Sequence, residues 1–131
     1  MEKVALIGAS GFVGTKILDE LLNRGNVVTA IVRNPEKITN DSANLKVVKA
    51  DVSDVDAIVA ACNEKGTGWV FFSPAGTIEP GQRTGKFRLG KDELIVDENG
   101  KSHISVEDYA VALVDEMEQE KHHCERFTIG Y

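Results

Sequence analysis

Three glycines at three-residue intervals, Gly8, Gly11 and Gly14, stand directly behind the apolar run Val4-Ala5-Leu6-Ile7. The chemistry open to such a string is non-covalent: backbone amides around a glycine turn grip the paired phosphates of a dinucleotide. Gly8 permits a sharp exit from a strand, Gly11 lets the backbone approach a diphosphate without a Cβ in the way, and Gly14 lets the next helix lie close on the sheet. Ser10, Phe12 and Val13 complete the string. The unpaired N–H groups of the first helical turn point at the anion, and the helix dipole adds roughly 0.3–1 kcal/mol. The competing reading is a tight structural turn with no ligand.

Other side chains are weighed against this turn. Arg33 falls where a second strand ends, and positions 30–34 hold no Asp or Glu. A carboxylate there takes the ribose hydroxyls of NAD, whereas an arginine pairs with a 2′-phosphate. NADP(H) is therefore expected over NAD(H), against the plainer reading of a solvated arginine. Tyr109 is followed four residues on by Leu113, where a catalytic tyrosine needs a lysine to lower its phenol pKa, so it reads as core. His122, His123 and Cys124 are consecutive, diverge on a chain entering a strand, and have no CxxC or HxxxH partner, so no metal is expected. His103 reads as a satisfied structural histidine, and Asp115, Glu116, Glu118 and Glu120 as the solvated face of one helix.

The elements that must position these residues follow from periodicity. Ile17, Leu18, Leu21 and Leu22 form a helical apolar stripe behind the glycines, Asn23-Arg24-Gly25 ends the helix, and 27–32 is a second buried strand. Residues 3–33 thus read as one βαβ unit. Pro35 closes the second strand, a helical turn falls near 36–38, and 45–50 is a third strand. Asp51-Val52-Ser53-Asp54 reads as the cap of a helix with Val55, Ile58, Val59 and Cys62 on its buried face. After a break at 65–68 comes a strand at 69–72, ended by Ser73-Pro74, and a glycine- and proline-rich loop at 75–85 that reads either as a mobile cover or as a plain connector. Short strands at 86–89, 94–96 and 102–104 flank turns, the one at 98–100 being of hairpin type. Ser105-Val106-Glu107-Asp108 is a capping box opening a last helix with Val106, Tyr109, Ala110, Leu113, Val114 and Met117 buried, and 126–130 is a final strand. The fold class is α/β: a Rossmann-like, mostly parallel sheet flanked by helices, with a small antiparallel hairpin region near 85–104, in a single domain over 1–131.

The 131 residues are 42% hydrophobic and 27% charged, an ordinary globular composition. A net charge of −6 argues against nucleic acid or an anionic membrane as partner, since both need a cationic surface. No apolar run approaches the ~20 residues that cross a bilayer, the opening residues lack a basic start and cleavage site, and two cysteines suit a reducing compartment. A cytoplasmic location is expected.

On GASGFVG at 8–14, IVRNPEK at 31–37, the strand-end pair Asp51-Val52 and the block from FSPAGTIEPGQRTGKFRLG to RFTIGY, the chain resembles the atypical short-chain dehydrogenase/reductases of the NmrA-like, NAD(P)H-binding kind, relatives of flavin and biliverdin reductases. The resemblance implies adenine contacts from Asp51 and Val52, though an Asp before a helix serves equally as its cap. It implies Ser73 and Pro74 as pocket wall with backbone contacts to the cofactor. It implies hydride transfer to a small planar acceptor such as a flavin or quinone, or alternatively a non-catalytic redox sensor. Members of the family are longer, and the piece missing here falls between Cys62 and Trp69. Either strand 69–72 takes the vacant place beside the first strand, or two chains pair as a homodimer to cover the edge.

Overall fold

The computed structural model describes residues 3–51, 53–54, 56, 70–122 and 124–131. They fall into two compact units, Met1–Lys65 and Gly66–Tyr131.

The first unit is built on a parallel sheet of β1 (Lys3–Ile7), β2 (Val27–Val32) and β3 (Leu45–Lys49), in that spatial order. The pairing runs Lys3↔Val27 to Ile7↔Ile31 and Val28↔Leu45 to Val32↔Lys49. β2 is the middle strand, and the run VVTAIV is what a strand covered on both faces requires; Val28, Ala30, Ile31 and Val32 are buried. Helix α1 (Phe12–Asn23) links β1 to β2 and packs on both. Its stripe buries Ile17, Leu18 and Leu21, and Gly25 at φ +82° ends it by donating its N–H to Leu22 O at 3.0 Å. Between β2 and β3 the chain makes only a 3-10 turn at Pro35–Lys37, and the helix expected at 53–64 lies outside the described residues save for isolated positions.

The second unit holds two small sheets. β4 (Val70–Ser73) pairs in parallel with β8 (Glu125–Gly130), and β8 pairs antiparallel with β6 (Arg88–Gly90). β5 (Thr77–Glu79) pairs in parallel with β7 (His103–Ser105). The antiparallel element expected near 85–104 is thus β6 against the last strand. Leu94, Ile95 and Val96, expected as a strand, make no ladder; Ile95 instead packs over Gly90 and Gly130, where a Cβ would fall within 3.3 Å and 2.9 Å of its side chain. The turn after it is as expected, with Asp97 N–H donating to Lys101 O at 2.8 Å and Gly100 at φ +77°. Thr77–Glu79 was expected as loop, because proline and glycine flank it on both sides.

Helix α2 (Val106–Gln119) starts at the expected cap, where Ser105 Oγ accepts Asp108 N–H at 3.1 Å. It covers a core of Ala75, Ile104, Ala112 and Ile129, against which Phe72, Ile78, Phe87, Tyr109 and Tyr131 pack. Phe72 is sandwiched between Tyr109 and Phe127 at ring separations of 4.3 and 4.2 Å, and His122 stacks on Phe127 at 4.3 Å.

Leu21 in the first unit and Phe127 in the second are the bulkiest of the fully enclosed side chains. Leu21→Ala in the first unit is expected to lower the unfolding free energy by about 2–5 kcal/mol and Phe127→Ala in the second by about 3–5 kcal/mol, read from urea denaturation curves.

Candidate functional site

The glycine turn leaves β1 with Gly8 at φ +79°, a conformation open to glycine at little cost. Gly8 N–H still reaches Ile31 O of β2 at 3.2 Å, and Gly11 N–H closes the turn on Gly8 O at 3.1 Å. A Cβ on Gly14 would lie 2.0 Å from Gly8 O, so the helix sits as near the strand end as two backbones allow. A Cβ on Gly11 would lie 3.4 Å from the same oxygen, an ordinary contact, so space inside the protein does not demand glycine there.

What Gly11 does is leave the helix mouth bare. It is the N-cap of α1, yet no side chain caps the first turn and no acidic residue lies in it. Thr15 Oγ1 turns back to Gly11 O at 2.7 Å instead of forward to the N–H groups. Phe12 is half exposed and Ser10 and Val13 partly so. Uncapped N–H groups in a first helical turn that carries no acidic residue fit an anionic group such as a diphosphate.

Because the sheet is parallel, the carboxyl ends of β1, β2 and β3 share one side, and the glycine turn, Arg33 and Asp51 follow those ends. The turn follows β1, Arg33 follows β2 directly and is exposed, and Asp51 lies two residues past β3. Ala50 N–H donates to Val32 O at 3.0 Å, which ties the β3 exit to the β2 exit. Asp51 Oδ1 accepts the N–H and Oγ–H of Ser53, both at 2.9 Å, the geometry of a local turn. These bonds, chiefly the backbone one, and the charge of Arg33 hold its carboxyl below the usual range. Val52 lies outside the described residues.

Ser73 and Pro74 belong to the second unit. Ser73 ends β4, its carbonyl accepts Thr128 Oγ1–H at 3.0 Å, and Pro74 is exposed. The loop beyond them is pinned, not mobile. Its anchor is Asp108, fully buried, whose Oδ1 accepts the N–H groups of Thr84 and Gly85, both at 2.9 Å. Its Oδ2 accepts Thr84 Oγ1–H at 2.6 Å and the Tyr131 hydroxyl. Burial pushes the Asp108 pKa up, but the bonds from Thr84, Tyr131 and Gly85 outweigh it and the net shift is downward. The sequence marks Asp108 only as part of a helix cap; nothing local signals its tie to a loop more than twenty residues upstream.

The remaining candidates have structural partners. Tyr109 donates its hydroxyl to Phe72 O at 3.1 Å, and burial raises its pKa. His103 Nε2 lies 3.1 Å from Asp97 Oδ2. Glu116, expected on a solvated face, is buried: its carboxylate takes His122 N–H at 2.7 Å and His122 Nδ1 at 2.6 Å. Cys124 is exposed, and His123 lies outside the described residues. No helix among the described residues is long and apolar enough to cross a membrane.

An uncapped glycine turn between the first strand and helix of a parallel sheet defines a Rossmann-like dinucleotide-binding protein. The chain belongs to the NAD(P)H-binding family, whose model matches residues 8–129. A Bacteroides thetaiotaomicron protein, described provisionally as an epimerase, has 39% identity and a TM-score of 0.94 over 99% of this chain and 97% of its own. A Streptococcus pneumoniae protein described provisionally as an NADH-flavin reductase shares the fold, with 23% identity and a TM-score of 0.81 over 98% of each chain. The uncharacterized protein YwnB of Bacillus subtilis is 28% identical in an alignment of 207 positions that reaches across 97% of each chain.

Two outcomes follow from the turn and the pinned loop. Gly14→Ala is expected to lower the thermal midpoint sharply, since backbone must shift, while Gly11→Ala leaves it near that of the wild type; scanning calorimetry separates them. Asp108, with its pKa depressed by folding, contributes stability above the ordinary carboxylate range that disappears as pH falls through its folded value. Thermal melts from pH 7 to 3 are expected to show Asp108→Asn about 1 kcal/mol less stable at neutrality, with the gap closing in acid.

Proposed function

We propose that the chain is an NADP(H)-dependent oxidoreductase of the flavin-reductase type, with direct hydride transfer to a small planar acceptor. The observation that carries this reading is the bare first turn of α1 behind Gly8, Gly11 and Gly14, within a family that binds NAD(P)H. In this reading the amides after Gly11, with Ser10, Phe12 and Val13, hold the diphosphate. Arg33 pairs with the 2′-phosphate, Asp51 and Val52 flank the adenine, and Ser73 and Pro74 contact the nicotinamide end. When bound, NADPH supplies a hydride that, with a proton from water, reduces a flavin or quinone without an obligatory side-chain acid. What the protein contributes is orientation.

The NmrA-like subgroup is part of the same proposal, as is an internal deletion between Cys62 and Trp69. An alignment of 207 positions for a chain of 131 residues supports the deletion, because it requires long gaps. A reducing, cytoplasmic setting goes with the reading and is supported by the exposed free thiol of Cys124.

The second reading is a non-catalytic redox sensor, which needs no proton donor at all. Tyr109 is committed to Phe72 O with a raised pKa and has Leu113 four residues on, so it makes a poor proton donor. Following NADPH oxidation at 340 nm with free flavin or a quinone distinguishes them: turnover is the reductase, and binding without turnover is the sensor.

Calorimetric titration tests the cofactor assignment. NADPH is expected to bind roughly tenfold or more tightly than NADH. Arg33→Ala is expected to erase that difference by weakening NADPH alone, and Gly11→Ala to weaken both. Equal affinities for the two coenzymes in the wild type would remove the role given to Arg33.

A further inference from the structure

The loop at 80–86 is held at four of its residues, Gly81, Gln82, Thr84 and Gly85, by the cap and first turn of α2. Gly81 N–H donates to Glu107 Oε2 at 2.9 Å, and Ser105 Oγ donates to Gln82 O at 2.8 Å. Asp108 takes two backbone amides, one threonine hydroxyl and one tyrosine hydroxyl. The other end of the segment is fixed as well: Gly76 N–H donates to Ser102 Oγ and Thr77 N–H to Ser102 O, both at 2.9 Å. Thus the chain leaving Ser73 and Pro74 is fastened on both sides to the segment 102–108.

A helix cap does not require this. Ser105 Oγ already accepts Asp108 N–H, so the Asp108 carboxylate is left for the loop. A buried carboxylate is costly unless all its bonding capacity is met, and here it is met mainly by Thr84, Gly85 and Tyr131. The loop itself has nothing apolar to bury between Pro80 and Lys86; Gln82, Arg83 and Thr84 are exposed, and Gly85 stands at φ +69°. Without the carboxylate the backbone at Thr84 and Gly85 would lose the two amide bonds that fix it.

We propose that Asp108 is a positioning residue for the acceptor-side wall, fixing through Thr84 and Gly85 the loop that continues from Ser73 and Pro74. The proposal rests on the reading of those two residues as the nicotinamide contact. It assigns to Asp108 no contact with cofactor or acceptor. Its effect passes through the loop backbone, so the nicotinamide end of the site responds and the diphosphate end does not.

The test is a titration of wild type, Asp108→Ala, Asp108→Asn and Thr84→Val with NADPH, reading affinity by calorimetry and the emission of the bound reduced nicotinamide, alongside acceptor KM and kcat with free flavin. All measurements are made at a temperature where near-ultraviolet circular dichroism shows each variant folded. Asp108→Ala is expected to keep its NADPH affinity within twofold, lose at least half the nicotinamide emission gained on binding, and raise acceptor KM at least fivefold. Asp108→Asn, whose Oδ1 can still accept both loop amides, is expected to recover most of the emission. Thr84→Val removes the hydroxyl bond to Asp108 and the local bonds of Thr84 Oγ1 with Lys86 while changing no residue of α2, is expected to lie between, and stands in if Asp108→Ala does not fold. A folded Asp108→Ala or Thr84→Val with unchanged emission and KM overturns the positioning role alone. Failure of the wild type to bind NADPH overturns the cofactor reading, and the positioning role with it.

Discussion

The first unit depends on one close approach between backbones. Gly14 on α1 sits so near Gly8 O that a methyl group at 2.0 Å has nowhere to go. Gly8 adopts φ +79° so that the chain can reverse from β1 into α1 within a few residues. Once the strand end and helix start are held this way, α1 must lie along the sheet, and its stripe of Ile17, Leu18 and Leu21 is delivered to β1 and β2. The same approach fixes where the uncapped N–H groups emerge: beside the carboxyl end of β1, on the side where β2 gives way to Arg33. Packing and binding are therefore two consequences of a single steric constraint, and Gly11 is the position at which they separate, because a Cβ there would have room inside the protein.

The second unit uses a different kind of fastening. Its strands are short, four of the five having four residues or fewer, and its loops carry little apolar side chain. Stacked rings of Tyr109, Phe72, Phe127 and His122 fill the interior on one side of the β4–β8 pair, while hydrogen bonds to side chains order the connections. Arg88 Nη2 donates to Val96 O at 2.6 Å and also to Tyr131 O, so one guanidinium holds a strandless segment and the end of β8 together. Asp97 does the same for its own turn, accepting N–H from Asn99 at 2.8 Å and Lys101 at 2.9 Å. Such bonds are directional and depend on geometry, which makes this unit more sensitive to single polar substitutions than to small changes of volume.

This difference explains what could be read from the sequence. In the first unit the signals are local: a continuous apolar run for β2, an i, i+3, i+4 stripe for α1, and glycines at turn positions. The three strands and the helix were legible within a residue or so. In the second unit α2 and its Ser105 cap were legible for the same reason, and so was β8. Parts of the segment between β4 and α2 were not. Leu94-Ile95-Val96 has the composition of a strand but follows Gly90 across the sheet face, and Thr77–Glu79 forms a strand only because Ser102 and β7 lie beside it. Glu116 looked solvated because it lies among Asp115 and Glu118; that His122 folds back over it after the left-handed Glu120 at φ +47° is a tertiary event without a local code. Asp108 belongs with these, being a cap residue in sequence and a loop anchor in space.

The contrast bears on how a binding site of this kind can lose or change function. A diphosphate grip built from backbone amides is insensitive to most side-chain replacement, so affinity for a dinucleotide persists wherever the Gly8–Gly14 approach persists. In the proposed reading, what happens next at the nicotinamide depends on residues whose placement rests on polar contacts spaced far along the chain, Thr84 to Asp108 and Gly76 to Ser102 among them. On that reading binding and turnover rest on physically separate supports. A chain built this way can keep the first while its second is loosened, and the proposed reductase would pass into a sensor by that route with no change to its glycines.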